Sequence, residues 1–285
     1  MKAGAGSRSA ERAGRGLITA ISWIVLCYLT FPLVVVVAIS FTTTSYLRFP
    51  PVGLTMRWYG NVIGDPTFVE AFVLSGQIAA AATALALALG VPAALALSRG
   101  TFPGRGMLSA IFLSPLVLPT IVLGAAILQY ASALGFARSF WALLVGHVVL
   151  VTPYVMRTTL ASFSGSEPAL EEAAQDLGAS PVETFFLVTL PQIKPGVVAG
   201  GLFAFINSWI NVEVSIFNST SDLVTLPVKL FNYIQFNIDP TLAAVSALTI
   251  YLAVGLVLLV DWLVGIDKAA VSTAGEEPRR SRPVR

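Results

Sequence analysis

Asn207, Ser208, Asn211 and Glu213 stand in a stretch, residues 195 to 217, that is otherwise largely apolar. On a helix, four-residue spacing puts Asn207, Asn211 and Ser215 on one face, with Ser208 beside it. Amides and hydroxyls so placed can hydrogen-bond a polar solute or a neighbouring helix. Glu213 lies off that stripe, nearer Trp209 and Phe217. Polar and ionisable groups at membrane depth face a bundle interior or water, so Asn207, Ser208, Asn211 and Glu213 are the candidate lining of a solute path. The one histidine, His147, falls midway along another apolar stretch and reads as a hydrogen-bonding group in helix packing.

Other chemistry is missing from the sequence. A lone histidine cannot build a multi-histidine metal site, and a lone Cys27 offers neither an intrachain disulfide nor a CxxC site. No G-x-x-x-x-G-K-[ST] occurs, so the phosphate-cradling loop of an ATPase is absent, and neither G-x-G-x-x-G nor H-E-x-x-H is found. No catalytic residue, metal ligand or cofactor is expected on this chain.

The elements that must position these residues follow from composition. Of the 285 residues, 56% are hydrophobic and 11% charged, against about 45–50% and about 25% in soluble proteins. Only a bilayer hides that much apolar surface, at roughly 20 residues per helical span. Six long apolar stretches, at about 17–41, 68–97, 107–131, 139–160, 195–217 and 242–264, predict an all-α membrane protein with six transmembrane helices. The first is too long for a removable signal and lacks a small-residue cleavage site. The expected organisation is an N-terminal tail 1–16, a transmembrane domain 17–266 and a C-terminal tail 267–285, with the segments 1–14 and 269–285 disordered. Gly76, Ala80, Ala84 and Ala88 give the second helix a smooth face for close helix packing. Pro92, Pro115 and Pro119 mark expected kinks.

Lysine and arginine set the orientation, because cytoplasmic loops carry their excess. An inside N-terminus places thirteen of them in the cytoplasm and four (Arg48, Arg57, Arg138 and Lys229) outside, so both termini are expected to be cytoplasmic. The net charge of +2 points to no nucleic-acid partner. Lipid is the expected surround.

Between the fourth and fifth stretches lies the longest polar connection, residues 161–194, on the cytoplasmic side. Ser166-Glu167-Pro168 has the form of a helix start, with acidic residues in the first turn. Leu170, Ala173, Ala174 and Leu177 recur at helical spacing, and Gly178 can end the helix with a positive φ or allow close backbone approach at a bend. A second short helix is expected from Ser180-Pro181, stopped at Leu190-Pro191, with Pro195 opening the next span. Two short helices at a sharp angle make a knob suited to docking another protein.

Glu172-Ala173-Ala174-x-x-x-Gly178, followed by Val188-Thr189-Leu190-Pro191, resembles the E-A-A-x-x-x-G-x9-I-x-L-P loop of bacterial ATP-binding-cassette importer permeases, with Val188 for Ile. Within that family the chain looks closest to spermidine/putrescine permeases, through Gly53-Leu54-Thr55-x-Arg57-Trp58-Tyr59, Leu177-Gly178-Ala179-Ser180 and Thr225-Leu226-Pro227-Val228-Lys229. The resemblance implies a non-catalytic subunit of the bacterial inner membrane whose loop is a coupling helix. Glu171, Glu172, Ala173, Ala174, Gly178, Leu190 and Pro191 would then form the ATPase-coupling set. The implied partners are two ATPase subunits, which hold ATP and Mg, a second permease subunit, related or identical, and an extracytoplasmic solute-binding protein.

Polyamine permeases show F-x-x-S-[FM]-D-[DE] in the fifth span, where this chain has Phe205 to Asn211 with Ile210 and Asn211 at the acidic positions and Glu213 two residues later. A bare polycation in low dielectric needs nearby carboxylates. The expected solute is therefore a small polar amine or zwitterion, with putrescine accommodated if the second permease adds acids. The alternative of an ion-driven secondary transporter calls for internal repeats and charged midplane sites. An intramembrane enzyme would need a nucleophile and base pair.

Overall fold

The computed structural model describes residues 4–275, with side chains from residue 15 to residue 262. Among the described residues the chain is helical with no strand. Its helices are α1 (Gly4–Ile39), α2 (Arg57–Gly64), α3 (Pro66–Arg99), α4 (Arg105–Leu113), α5 (Thr120–Ala133), α6 (Phe140–Phe163), α7 (Pro168–Asp176), α8 (Pro181–Thr184), α9 (Leu190–Trp209), α10 (Glu213–Asn218), α11 (Leu226–Tyr233) and α12 (Thr241–Gly275). A bilayer core offers no water to backbone N–H and C=O groups, which is why apolar stretches of this length become helices. Five segments are long and apolar enough to span, and the pair α4 and α5 makes a sixth if counted as one span.

Two compact units divide the chain: one made of the chain up to Asp65 with Ile234–Leu252, the other of Pro66–Tyr233 with the chain from Ala253 on. In the first, α2 is fastened to the end of α1. Trp58 Nε1 donates to the Thr42 carbonyl at 2.7 Å, the Tyr59 and Ser40 hydroxyls lie 2.7 Å apart, and the Thr55 amide donates to the Phe41 carbonyl. Burial pushes the Tyr59 phenol up to about 12, so it stays protonated. This is the structural use of the Gly53 to Tyr59 string.

In the second unit, α3, α6 and α9 pack on one another around Ile78, Ala82, Ala86, Leu143, Val151, Val155, Met156, Ile193 and Ala204. Close approach depends on Gly200. A Cβ there would lie 2.9 Å from the Val155 Cα and collide with the Thr158 hydroxyl. The small-residue face of α3 differs from the expected one. Ala79, Ala82, Ala86 and Gly90 are buried, whereas Ala80, Ala84 and Ala88 are exposed. The buried positions follow the face on which α3 meets both α6 and α9, and a four-residue alanine count does not reveal which of several small faces that is.

Four further expectations are corrected. The third span is not one helix but two, bent by 105° between Leu116 and Thr120. Pro115 and Pro119 have no N–H to donate, and Pro119 disfavours helical backbone at Leu118; Pro119 is itself extended and its carbonyl caps α5 by accepting from Val122 and Leu123. The fifth stretch breaks at Ile210–Val212 into α9 and α10. Conversely, Leu190-Pro191 does not stop a helix and Pro195 does not start one. The chain is helical from Pro181 to Trp209 because residues 185–189 widen into a π turn, in which the Leu190 amide reaches the Phe185 carbonyl and carries the helix into Pro191. Finally, the segments expected to be disordered are helical at Gly4 to residue 14 and from residue 269 to Gly275, where each continues a long helix already nucleated and so needs no new nucleus. Residues 1–3 and 276–285 of those segments lie outside the described residues.

Adding a methyl at Gly200 is expected to cost about 1–3 kcal/mol through overpacking. At Gly201 the nearest atom would be Leu87 Cδ1, at an ordinary 3.5 Å. Thermal unfolding in detergent should show a lower midpoint for Gly200→Ala than for Gly201→Ala. Equal midpoints would contradict the packing.

Candidate functional site: a buried joint and a surface knob

The break in the fifth stretch is built from side chains. Asn211 Oδ1 accepts from the Val214 amide at 2.8 Å, capping α10, and its Nδ2 donates to Glu213 Oε2 at 3.3 Å. Asparagine at such a position replaces the helical ladder with its own side chain. Ser215 Oγ donates to the Asn211 carbonyl at 2.9 Å, closing the joint.

His147 of α6 spans the joint. Its Nδ1 lies 2.7 Å from Ser208 Oγ on α9, and its Nε2 lies 2.9 Å from Ser215 Oγ on α10. The Ser215 proton is spent on the Asn211 carbonyl, so the Ser215 oxygen accepts from Nε2–H. Nδ1 is then the acceptor for the Ser208 hydroxyl, which fixes a neutral tautomer with all its hydrogen bonds satisfied. His147, Ser208, Ser215 and Asn211 are all buried.

The structure thus brings Ser208 and Asn211 together with His147 and Ser215 and leaves Asn207 outside that group. Asn207 Nδ2 donates to the Phe203 carbonyl of its own helix, and Asn207 is only half-buried. Glu213 is exposed. The expected continuous stripe is divided by the break: Ser208, Asn211 and Ser215 hold the joint, and Asn207 and Glu213 retain accessible surface. Isolated i, i+4 spacing could not show this. The sequence signal for it was the only histidine, at the middle of a span facing a Ser/Asn-rich one.

The knob has its own supports. α7 starts at Pro168 and ends as Gly178 takes φ +95°, a left-handed backbone in which a side chain is strained. Nothing lies within 4 Å of where a Gly178 Cβ would stand, so conformation and not close approach is what requires glycine. Ser180 and Glu183 then form a reciprocal capping box that starts α8. Gln192 ties the two arms, accepting from the Glu167 amide at 2.9 Å and donating to the Val188 carbonyl. Leu190 packs against the core, whereas Pro191 is exposed.

Within the knob, Glu171 points back at the bundle, held by Arg99, while Glu172 and Ala173 are exposed and Ala174 is half-buried. Leu177 is 90% exposed, and Leu170, Val182, Phe186 and Leu187 are also exposed. The N-terminal part of α3 is dressed differently. The Leu226 amide donates to Ser75 Oγ at 2.8 Å and the Lys229 ammonium sits 5.2 Å from the Phe68 ring centre, which seats the Thr225 to Lys229 string on that helix.

The chain belongs to the family described as binding-protein-dependent transport system inner membrane component, which matches residues 3–270. It is a multi-pass inner-membrane permease of the ATP-binding-cassette importer type. Among its relatives is the spermidine/putrescine transport system permease protein PotC of Haemophilus influenzae, 32% identical over 244 residues, which span 85% of this chain and 94% of that protein. Another is the putrescine transport system permease protein PotI of Escherichia coli K12, 33% identical over 242 residues, 82% of this chain and 85% of that protein. The fold resembles a chain of a bacterial ABC transporter for alginate import, with a TM-score of 0.66 at 18% identity, covering 90% of this chain and 96% of that one. It also resembles a chain of the MetNI methionine transporter, with a TM-score of 0.55 at 19% identity over 71% and 98%.

Replacing His147 with Ala strands the Ser208 hydroxyl and leaves Ser215 with one partner fewer. The expected loss is about 1–3 kcal/mol, seen as a lower thermal midpoint in detergent, and His147→Gln, which keeps a donor and an acceptor, should recover part of it. An Ala variant as stable as the parent would contradict the joint.

Proposed function

We propose that the chain is half of a translocation pathway and that α7 with α8 forms its coupling element, seated in a cleft of an ATPase on the cytoplasmic side. The observation that carries this reading is a knob braced by the Gln192 link and the Ser180–Glu183 capping box, with apolar residues, Leu177 foremost, left exposed. Exposed apolar groups on a rigid support suit a protein partner. The Lys/Arg distribution supports a cytoplasmic knob and cytoplasmic termini.

In this reading the chain itself hydrolyses nothing. Two ATPase subunits bind ATP and Mg, a second permease subunit, related or identical, completes the pathway, and a solute-binding protein delivers cargo outside. Glu172, Ala173 and Ala174 with Gly178 form the docking arm, and Leu190 and Pro191 carry its motion into α9. Closure of the ATPases moves the knob as a rigid body, and the α3, α6 and α9 core follows.

The solute is a small amine or zwitterion, in keeping with the relatives named for spermidine and putrescine. Asn207 and Glu213, the polar groups with accessible surface, meet it, while Ser208 and Asn211 hold the joint that shapes the path. With Ile210 and Asn211 where polyamine permeases carry acids, a single carboxylate at Glu213 suits one amine better than three or four.

The test is Gly178→Leu in the assembled importer. A leucine held at φ +95° costs about 1–2 kcal/mol and reorients the knob, so solute-stimulated ATP hydrolysis should fall while membrane insertion is unchanged. Normal stimulated hydrolysis would overturn the coupling role of the knob.

A further inference from the structure

At the inner end of α3, Arg99 reaches across to α7. Its Nε donates to Glu171 Oε2 at 3.1 Å and its Nη2 to Glu171 Oε1 at 3.0 Å, a two-pronged pairing, and Nη2 also donates to Ser166 Oγ at 2.7 Å. The guanidinium carbon lies 5.2 Å from the centre of the Phe163 ring, at the last residue of α6. One side chain therefore joins the end of α3, the end of α6 and the first turn of α7.

The charges are placed where the helices favour them. Arg99 stands in the last turn of α3 and Glu171 in the first turn of α7, each complementing the dipole of its own helix. The side chains are 25% and 13% exposed, so the pair is only lightly screened by solvent. The planar fork of arginine holds both distance and orientation, which a lysine would not.

We propose that Arg99 is the positioning residue that sets the angle of α7 and passes its motion directly to α3, a route parallel to the covalent one through α8 and α9. Glu171, with both oxygens engaged by Arg99, serves this tie, and Glu172 on the exposed side is free for the ATPase. The proposal rests on the reading of α7 as the coupling helix. Without the tie, α7 would be held to the core by its chain ends and the Gln192 link, and ATP-driven movement would reach α9 without drawing α3 with it.

The assembled importer, reconstituted in proteoliposomes with its ATPase and binding protein, gives the test, using Arg99→Gln and Arg99→Lys. The expected result is ATPase retained on the complex in both variants, with uptake per ATP hydrolysed reduced roughly fivefold or more in Arg99→Gln and by an intermediate amount in Arg99→Lys. A purely structural role would lower the yield of assembled complex and leave that ratio unchanged. An unchanged ratio in Arg99→Gln, or loss of the ATPase from that complex, would overturn the proposal. Failure of the underlying reading has a separate signature, full stimulated hydrolysis in Gly178→Leu, so the two can be told apart.

Discussion

Backbone groups in a bilayer must find partners within the protein, and this constraint governs the rest of the molecule. Where the chain keeps helical backbone it needs nothing more, and α3, α6 and α9 run through Pro92, Pro153 and Pro195 without ending. Where it departs from the helix it must supply substitutes. Between α4 and α5 the substitute is the Pro119 carbonyl, and between α9 and α10 it is the Asn211 side chain backed by Ser215 and His147. The second departure is the more expensive, since it carries a histidine, an amide and two hydroxyls into the interior. Such a cluster is tolerated only when each polar atom is paired. A break of this kind gives the fifth stretch a surface that a straight helix could not offer.

Mechanical transmission follows from the same economy. A tightly packed group of three helices does not deform gradually, so under the proposed coupling a push at one end would move it between discrete arrangements. In the proposed coupling role the knob has two connections to the core, the π turn leading into α9 and the Arg99–Glu171 pair leading into α3. Between them they address both helices that flank α6. The polar joint lies further along α6 and α9.

Much of this was legible in the sequence. Apolar length located the membrane helices, and proline, glycine and acidic placement located α7 and its end at Gly178. What escaped was tertiary in origin. The bend at Pro115–Pro119 is a large angle and not a mild kink because neither proline nor Leu118 can keep the ladder, whereas Pro191 and Pro195 fit a helix once the π turn shifts the register; proline alone does not distinguish these cases. The stripe of Asn207, Asn211 and Ser215 read as one face because the capping bond from Asn211 to Val214 is invisible in residue spacing. Arg99 lies 72 residues from Glu171, and a contact over that separation has no local signature.

The central claim, that the knob meets an ATPase, is tested most directly by site-specific cross-linking in the assembled importer. In a Cys27→Ser background, a photoactivatable group attached at Leu177→Cys should join the chain to the ATPase subunit, and the same group at Ser221→Cys should not. Cross-links to the ATPase from Ser221, or none from Leu177 in a complex that hydrolyses ATP and transports, would contradict the account.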